Sequence, residues 1–288
     1  MAKKIVTKKE HTILLLLYIF RFLNSKQIQE FLIHKDHRRI NSWLKDLEEK
    51  EYIVREYTPI YGVLTKPAVC YLTTKGRKHI KESYNYYFPP YLKRISRDHK
   101  VSKAFKTRCQ IIADWYITRI PPTKAGISIV DTLIKHCITA IEEKMPLNTV
   151  QFFTPSYFPT FKLLKHIKPD AYIRKKAREG IAPGFLFVVD PYVSRLVIRY
   201  TIKRIFTTLN EEYWEDDVIA FHMYFLCPNN QVIIYLRRML PTQLEQEYAS
   251  GTPLHFHLAT RNQLYNYKQG KIETIKWITI SSEDEDDE

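Results

Sequence analysis

The chain has 288 residues, with 45 Lys or Arg against 31 Asp or Glu and a net charge of +14. Residues 283–288 are all acidic, so the rest carries +20 (45 basic against 25 acidic), a balance that favours a polyanionic partner and salt-sensitive binding. Four widely spaced cysteines (Cys70, Cys109, Cys137, Cys227) without a CxxC pair, and only seven glycines, exclude a disulfide scaffold, a zinc finger and a glycine-rich phosphate loop, and fit a reducing cytoplasm. In chain order, Ile13, Leu14, Leu17 and Phe20 fall at helical spacing and predict a first helix ending near Leu23. The apolar run 13–20 is broken by Arg21, far short of a membrane span, and no small-residue cleavage site follows it. Asn24 or Ser25 can cap a second helix with Ile28, Phe31 and Leu32 on its apolar side. Asp36 can cap a third, with Ile40, Trp43, Leu44 and Leu47 inward and Arg38, Arg39, Asn41, Ser42 and Lys45 outward. Residues 53–57 and 69–72 alternate as two strands around a loop with Gly62, Lys66 and Pro67, and Thr73-Thr74-Lys75-Gly76 opens a closing helix.

This order describes a winged helix-turn-helix over residues 8–84. Its third helix offers Arg and Asn, side chains suited to guanine and adenine edges in a major groove. The candidate contacts to double-stranded DNA are Arg38, Arg39, Asn41, Ser42 and Lys45 on that helix. Lys26 and Gln27 at the start of the second helix are candidates for the DNA backbone, and Lys66 in the wing for the minor groove or flanking phosphates. A solvated basic face, or an adaptor that docks an acidic protein, is the bland alternative for the same residues.

A Tyr/Pro-rich linker, 85–96, precedes a basic helix over 97–120 with Val101, Phe105, Cys109, Ile112, Trp115 and Tyr116 on one face, a candidate homodimer seam. Strand signals follow at 127–130, 150–153, 171–173, 185–189, 218–227, 231–236, 255–259 and 275–280, with a helix over 192–209 and a short helix opening at Pro241. In that 192–209 helix Val193, Leu196, Val197, Tyr200, Ile205 and Leu209 are the expected inward positions, with Arg195, Arg199, Lys203 and Arg204 outside. The mixture predicts an α+β chain whose second domain, 97–280, is α/β, followed by an acidic disordered tail at 281–288. His255-Phe256-His257 has the His-hydrophobic-His form of rolling-circle initiators and relaxases, with Tyr265 and Tyr267 as conceivable nucleophiles. Strand alternation alone also places two such histidines on one side.

The segment Ile167-Lys168-Pro169-Asp170-Ala171-Tyr172-Ile173, followed by Phe185-Leu186-Phe187-Val188-Val189-Asp190, resembles the core of restriction-endonuclease-like folds. Those folds start a strand with Asp and carry an acidic-x-Lys triplet on its hairpin partner. The wider order of motifs resembles the replication-relaxation family of plasmid and mobile-element proteins. It is carried by Leu72-Thr73-x-x-Gly76, Asp98-His99, Pro169-Asp170 and Val188-x-Asp190, across most of residues 8–240. The resemblance implies a winged helix followed by a restriction-endonuclease-like domain, acting in plasmid or mobile-element replication, mobilisation or its transcriptional control, with other replication or transfer proteins as partners. Val188 stands where the family pattern has Glu, so the resemblance implies a catalytically degenerate core, no cofactor and no enzyme. The alternative is a divergent metal-dependent nickase or relaxase that uses Asp170 and Asp190, or His255 and His257, with Mg²⁺. As turn and capping residues, Asp170 and Asp190 have an equally good structural reading.

Overall fold

A computed structural model describes residues 6–57, 67–84, 98–119, 150–155, 162–176, 178–211 and 218–282. The expected loop residue Lys66, the linker 85–96, the strand at 127–130, Cys137 and the tail 283–288 lie outside these residues. The chain divides into two compact units, Met1–Ile141 and Glu142–Glu288.

In the first unit, α1 (Lys8–Phe20) is opened by a capping box in which Thr7 and Glu10 bond each other's backbone N–H. Every residue from Ile13 to Phe20 is buried, so this helix is the hub of the unit rather than an amphipathic cover. None of the described helices is long and apolar enough to cross a membrane. At its start Glu10 is buried against the Lys50 ammonium at 2.6 Å. Burial alone would raise the Glu10 carboxyl, but the bonds from Lys50 and Thr7 outweigh it and hold its pKa below the usual range.

A short strand, β1 (Leu23–Asn24), leads into α2 (Ser25–Phe31), where Asn24 is the cap and forms a capping box with Gln27. Asp36 caps α3 (His37–Glu49) by accepting from the Arg38 N–H. Of the expected inward positions of α3, Ile40, Leu44 and Leu47 are buried, whereas Trp43 is only half-buried. Strands β2 (Ile53–Glu56) and β3 (Val69–Leu72) complete an antiparallel sheet of order β1-β3-β2, and α4 (Thr74–Tyr84) closes it.

The Leu72-Thr73-x-x-Gly76 sequence has a local physical basis. The Thr73 hydroxyl donates to the Glu51 and Tyr52 carbonyls and accepts from the Gly76 N–H, which clamps the start of α4 onto the entry to β2. A Cβ at Gly76 would lie 2.2 Å from the Tyr52 carbonyl oxygen, a close approach that only glycine permits. Gly76→Ala is therefore expected to destabilise the first unit by about 2 kcal/mol, seen as a lower urea midpoint with unchanged slope.

The helix expected over 97–120 begins later, as α5 (Lys103–Arg119) after a 3₁₀ turn at Asp98–Lys100, and it belongs to the first unit rather than the second. Tyr116 packs its ring 5.5 Å from Phe20 and 5.7 Å from Phe31, and Phe105 meets Phe22 at 6.1 Å. Cys109, Ile112, Trp115 and Tyr116 are buried inside their own unit, so this apolar face cannot serve as a dimer seam. The long-range packing of α5 on α1 and α2 decides this membership, which no local pattern encodes.

Among the described residues, the second unit holds a six-stranded sheet of order β4-β5-β6-β7-β8-β9. Strands β4 (Val150–Phe153), β5 (Ala171–Lys176) and β6 (Ile181–Val188) form an antiparallel meander, with α6 (Lys162–Ile167) between β4 and β5. Strands β7 (Phe221–Cys227) and β8 (Leu254–Thr260) add in parallel to β6. Parallel neighbours need crossovers, supplied by α7 (Arg195–Asn210) and α8 (Asn230–Glu247). Helix α9 (Arg261–Lys268) and the antiparallel edge strand β9 (Ile278–Ser281) finish the unit.

Three expectations fail in this unit. Residues 231–236 are helical in α8, and Pro241 lies inside that helix instead of opening one. The β-branched run there reads locally as a strand, but the Asn229 cap and burial of Ile233, Leu236, Leu240 and Leu244 at helical spacing prevail. In α7 the buried stripe is Ile198, Ile202, Ile205, Phe206 and Leu209, so Leu196, Val197 and Tyr200 face solvent rather than the core.

Candidate nucleic-acid interface

Helix α3 is held from behind by its buried Ile40, Leu44 and Leu47, which fixes the outward direction of the polar row. Arg38, Arg39, Ser42 and Lys45 are exposed, and Asn41 is half-buried. Arg39 does not wave freely: its guanidinium lies 5.7 Å from the centre of the Trp43 ring, whose edge in turn meets His34 at 5.2 Å. A cation held over an indole loses less side-chain entropy when it binds a ligand. Asn41 is tied to the His37 ring at 3.1 Å, and the other nitrogen of that ring meets the Ser25 hydroxyl at 3.3 Å. Lys45 is loosely paired with Glu49 at 3.9 Å, both exposed, an ion pair of little energetic consequence.

Sequence reasoning gives no role to His37 or to the Trp43 ring; a histidine directly after the Asp36 cap, at the first position of α3, is the signal that the sequence offers. Lys26 is exposed at the start of α2. Gln27 is not available to DNA: it is 1% exposed and donates to the Gln110 carbonyl at 2.8 Å and to Asp114 at 2.7 Å. Its amide docks α5 onto α2, a role set by residues more than 80 positions away.

In the second unit the β5–β6 hairpin brings Asp170 beside Val188, as the motif order predicts. The Asp170 carboxylate accepts the Val188 N–H at 2.7 Å, and its own N–H donates to the Leu186 carbonyl at 2.8 Å. Asp190 accepts from the Tyr192 N–H at 3.0 Å and starts the turn before α7. The Val188 side chain is buried and offers no oxygen, and both aspartates have backbone hydrogen bonds to hold. Of the family pattern this hairpin keeps two carboxylates, Asp170 and Asp190, while the remaining position is an apolar side chain. Among the described residues no group of three His, Cys, Asp or Glu is placed to hold a metal ion.

His255 and His257 share one face of β8, and the parallel register adds His222 of β7, directly opposite His255. The His222 Nδ1 and His257 Nε2 are 3.0 Å apart, with rings nearly parallel at 19°. Thr279 and Ser281 of β9 meet the Nδ1 atoms of His257 and His255 at 3.1 and 2.9 Å. The arrangement is a stacked, hydrogen-bonded cluster continued by Tyr224, whose ring lies 4.7 Å from that of His257. Tyr265 is exposed on α9, with the Lys271 ammonium 5.9 Å from its ring.

Comparison with known proteins gives two findings. A family model described as replication-relaxation matches residues 14–190. Among solved structures, the chain is similar to the crystal structure of Bacillus subtilis PadR in complex with operator DNA, at 18% identity over 46% of this chain and 71% of that one, with a TM-score of 0.23. No match was found among curated proteins.

Proposed function

This chain belongs to the replication-relaxation family, and from that premise we propose that it binds double-stranded DNA through α3 of its first unit. The observation that carries this reading is the exposed row Arg38, Arg39, Ser42 and Lys45 on the second helix of a helix-turn-helix, with Arg39 braced by Trp43. Such a helix enters the major groove with its N-terminal residues toward base edges. Arg39 reads a base, Asn41 supports it, and Arg38, Lys45 and Lys26 neutralise phosphates. Lys66, which falls between β2 and β3 in the sequence, is assigned to flanking phosphates on that position alone.

The biological setting we infer is replication, mobilisation or transcriptional control of a plasmid or mobile element, in the cytoplasm. We assign the second unit to a restriction-endonuclease-like core that no longer cuts. The β4–β6 meander with a helical crossover to parallel β7 supports that assignment, as does Asp170 at the start of β5. Loss of the oxygen donor at Val188 supports its inactivity.

The test is a gel-shift of the full chain on duplex fragments from its own genetic neighbourhood, run with and without Mg²⁺ across a salt series. Intact, shifted DNA with log affinity falling linearly against log salt is the expected result, at a slope of about −0.9 per phosphate contacted. Indifference to DNA at moderate salt would favour an adaptor for an acidic protein. Metal-dependent nicking would reinstate the enzyme reading.

A further inference from the structure

The second unit carries a surface that the duplex reading does not use. On α7, Arg195, Arg199 and Lys203 follow one another at four-residue intervals and are all exposed. Each step advances about 6 Å along the helix, so the three cations form a straight rail. Beside it lies a second rail, Leu196 and Tyr200, which are 58% and 63% exposed. Tyr192, 94% exposed, precedes the helix in the turn that the Asp190 carboxylate fixes through the Tyr192 N–H.

The patch continues onto α8. The Arg195 guanidinium lies 5.2 Å from the Tyr235 ring centre, which joins the two helices. Ile234, Arg237 and Arg238 of α8 are exposed beside this junction. Helix α7 contains no acidic residue, and none of Arg195, Arg199, Lys203, Arg237 or Arg238 is paired with a carboxylate among the described residues. A structural ion-pair network would have interleaved acids here. By contrast, Arg204 on the same helix is half-buried and donates to the Ile167 carbonyl, so it is a packing residue and not part of the rail.

Two exposed tyrosines beside a row of exposed cations match one ligand chemistry best. Duplex phosphates would use the cations alone and leave the aromatic rings in water without function. Unstacked bases would use both, since rings accept a base face and cations follow the backbone. We infer that the α7–α8 ridge binds single-stranded DNA, with Tyr192 and Tyr200 as stacking platforms and Arg195, Arg199 and Lys203 on the phosphates. The ridge belongs to the second unit and α3 to the first, and this proposal stands independently of the duplex reading.

The test uses the full chain and a labelled single strand of about 16 nucleotides, followed by fluorescence anisotropy across a salt series. Three variants are compared: Arg195→Gln/Arg199→Gln/Lys203→Gln, Tyr192→Ala/Tyr200→Ala, and Arg38→Ala/Arg39→Ala/Lys45→Ala on α3. All five substituted ridge positions are exposed and none contributes to the core, so the fold should be kept; circular dichroism checks it. The cation variant is expected to flatten the log–log salt slope by about 2, at roughly 0.7 per charge on single strands. The tyrosine variant should weaken binding about tenfold or more with the slope unchanged. The α3 variant should bind the single strand as the parent does. Single-strand binding that survives both ridge variants, or that is lost with the α3 variant, overturns the proposal. So does a tyrosine variant with full affinity, or ridge variants that lose binding to phosphatidylserine vesicles while keeping the single strand. Failure of the parent to bind duplex DNA overturns the α3 reading and leaves this one standing.

Discussion

Asp98→Ala is expected to destabilise the first unit by about 3 kcal/mol, with α5 losing its hydrogen-exchange protection before the rest. The Asp98 carboxylate is 3% exposed and is paired with Arg21 at the end of α1 and, at 3.6 Å, with Arg77 on α4. Arg21 also sets its guanidinium 4.7 Å from the Phe105 ring of α5. One carboxylate thus joins three helices, and its removal leaves two guanidinium groups facing each other with little solvent. Arg77 retains bonds to the Leu72 carbonyl and the Thr74 hydroxyl, and Arg21 keeps some access to water, which places the cost at the lower end for a broken buried pair. Asp98→Asn should recover part of the loss. A full-length chain with unchanged exchange in α5 would refute this assignment.

The helices of the first unit are legible in the sequence because local signals agree. Asn24 and Asp36 are caps by side-chain chemistry, and Ile40, Leu44 and Leu47 repeat at helical spacing on one face of α3. Where several apolar residues crowd together, the phase of a helix is ambiguous. In α7 the run Leu196-Val197-Ile198 permits more than one inward stripe, and only packing against the sheet selects Ile198, Ile202 and Ile205. The consequence is functional, because the residues freed from the core are those of the ridge.

Other features depend on partners distant in sequence. Gln27 reads as a polar residue at a helix start, yet Gln110 and Asp114 draw it inside. His222 gives no motif by itself, and only the parallel register of β7 with β8 sets it against His255 and His257. The Asp170–Val188 approach was legible, because a hairpin between two strands fixes which ends meet. What the motif order could not supply was the role of the Asp170 carboxylate as an acceptor for the opposite strand's N–H.

Removing the α3 cations together, in Arg38→Ala/Arg39→Ala/Lys45→Ala, should weaken duplex binding by about 3 kcal/mol, or more than a hundredfold, at physiological salt. Two lost phosphate contacts contribute about 2 kcal/mol through counterion release, and a lost arginine–base pair contributes at least about 1 kcal/mol. The single variants divide this loss by mechanism. Lys45→Ala should lower affinity for cognate and scrambled duplexes alike and reduce the salt slope by about 1. Arg39→Ala should instead narrow the gap between the two duplexes, because only the cognate one offers the base that Arg39 reads. Trp43→Leu keeps an apolar side chain at a half-buried position but removes the ring under the Arg39 guanidinium. It should therefore reproduce part of the Arg39 loss of discrimination while leaving the salt slope unchanged, since no charge is removed. Equal losses on both duplexes for Arg39→Ala would assign that residue to phosphate and move base reading elsewhere on α3.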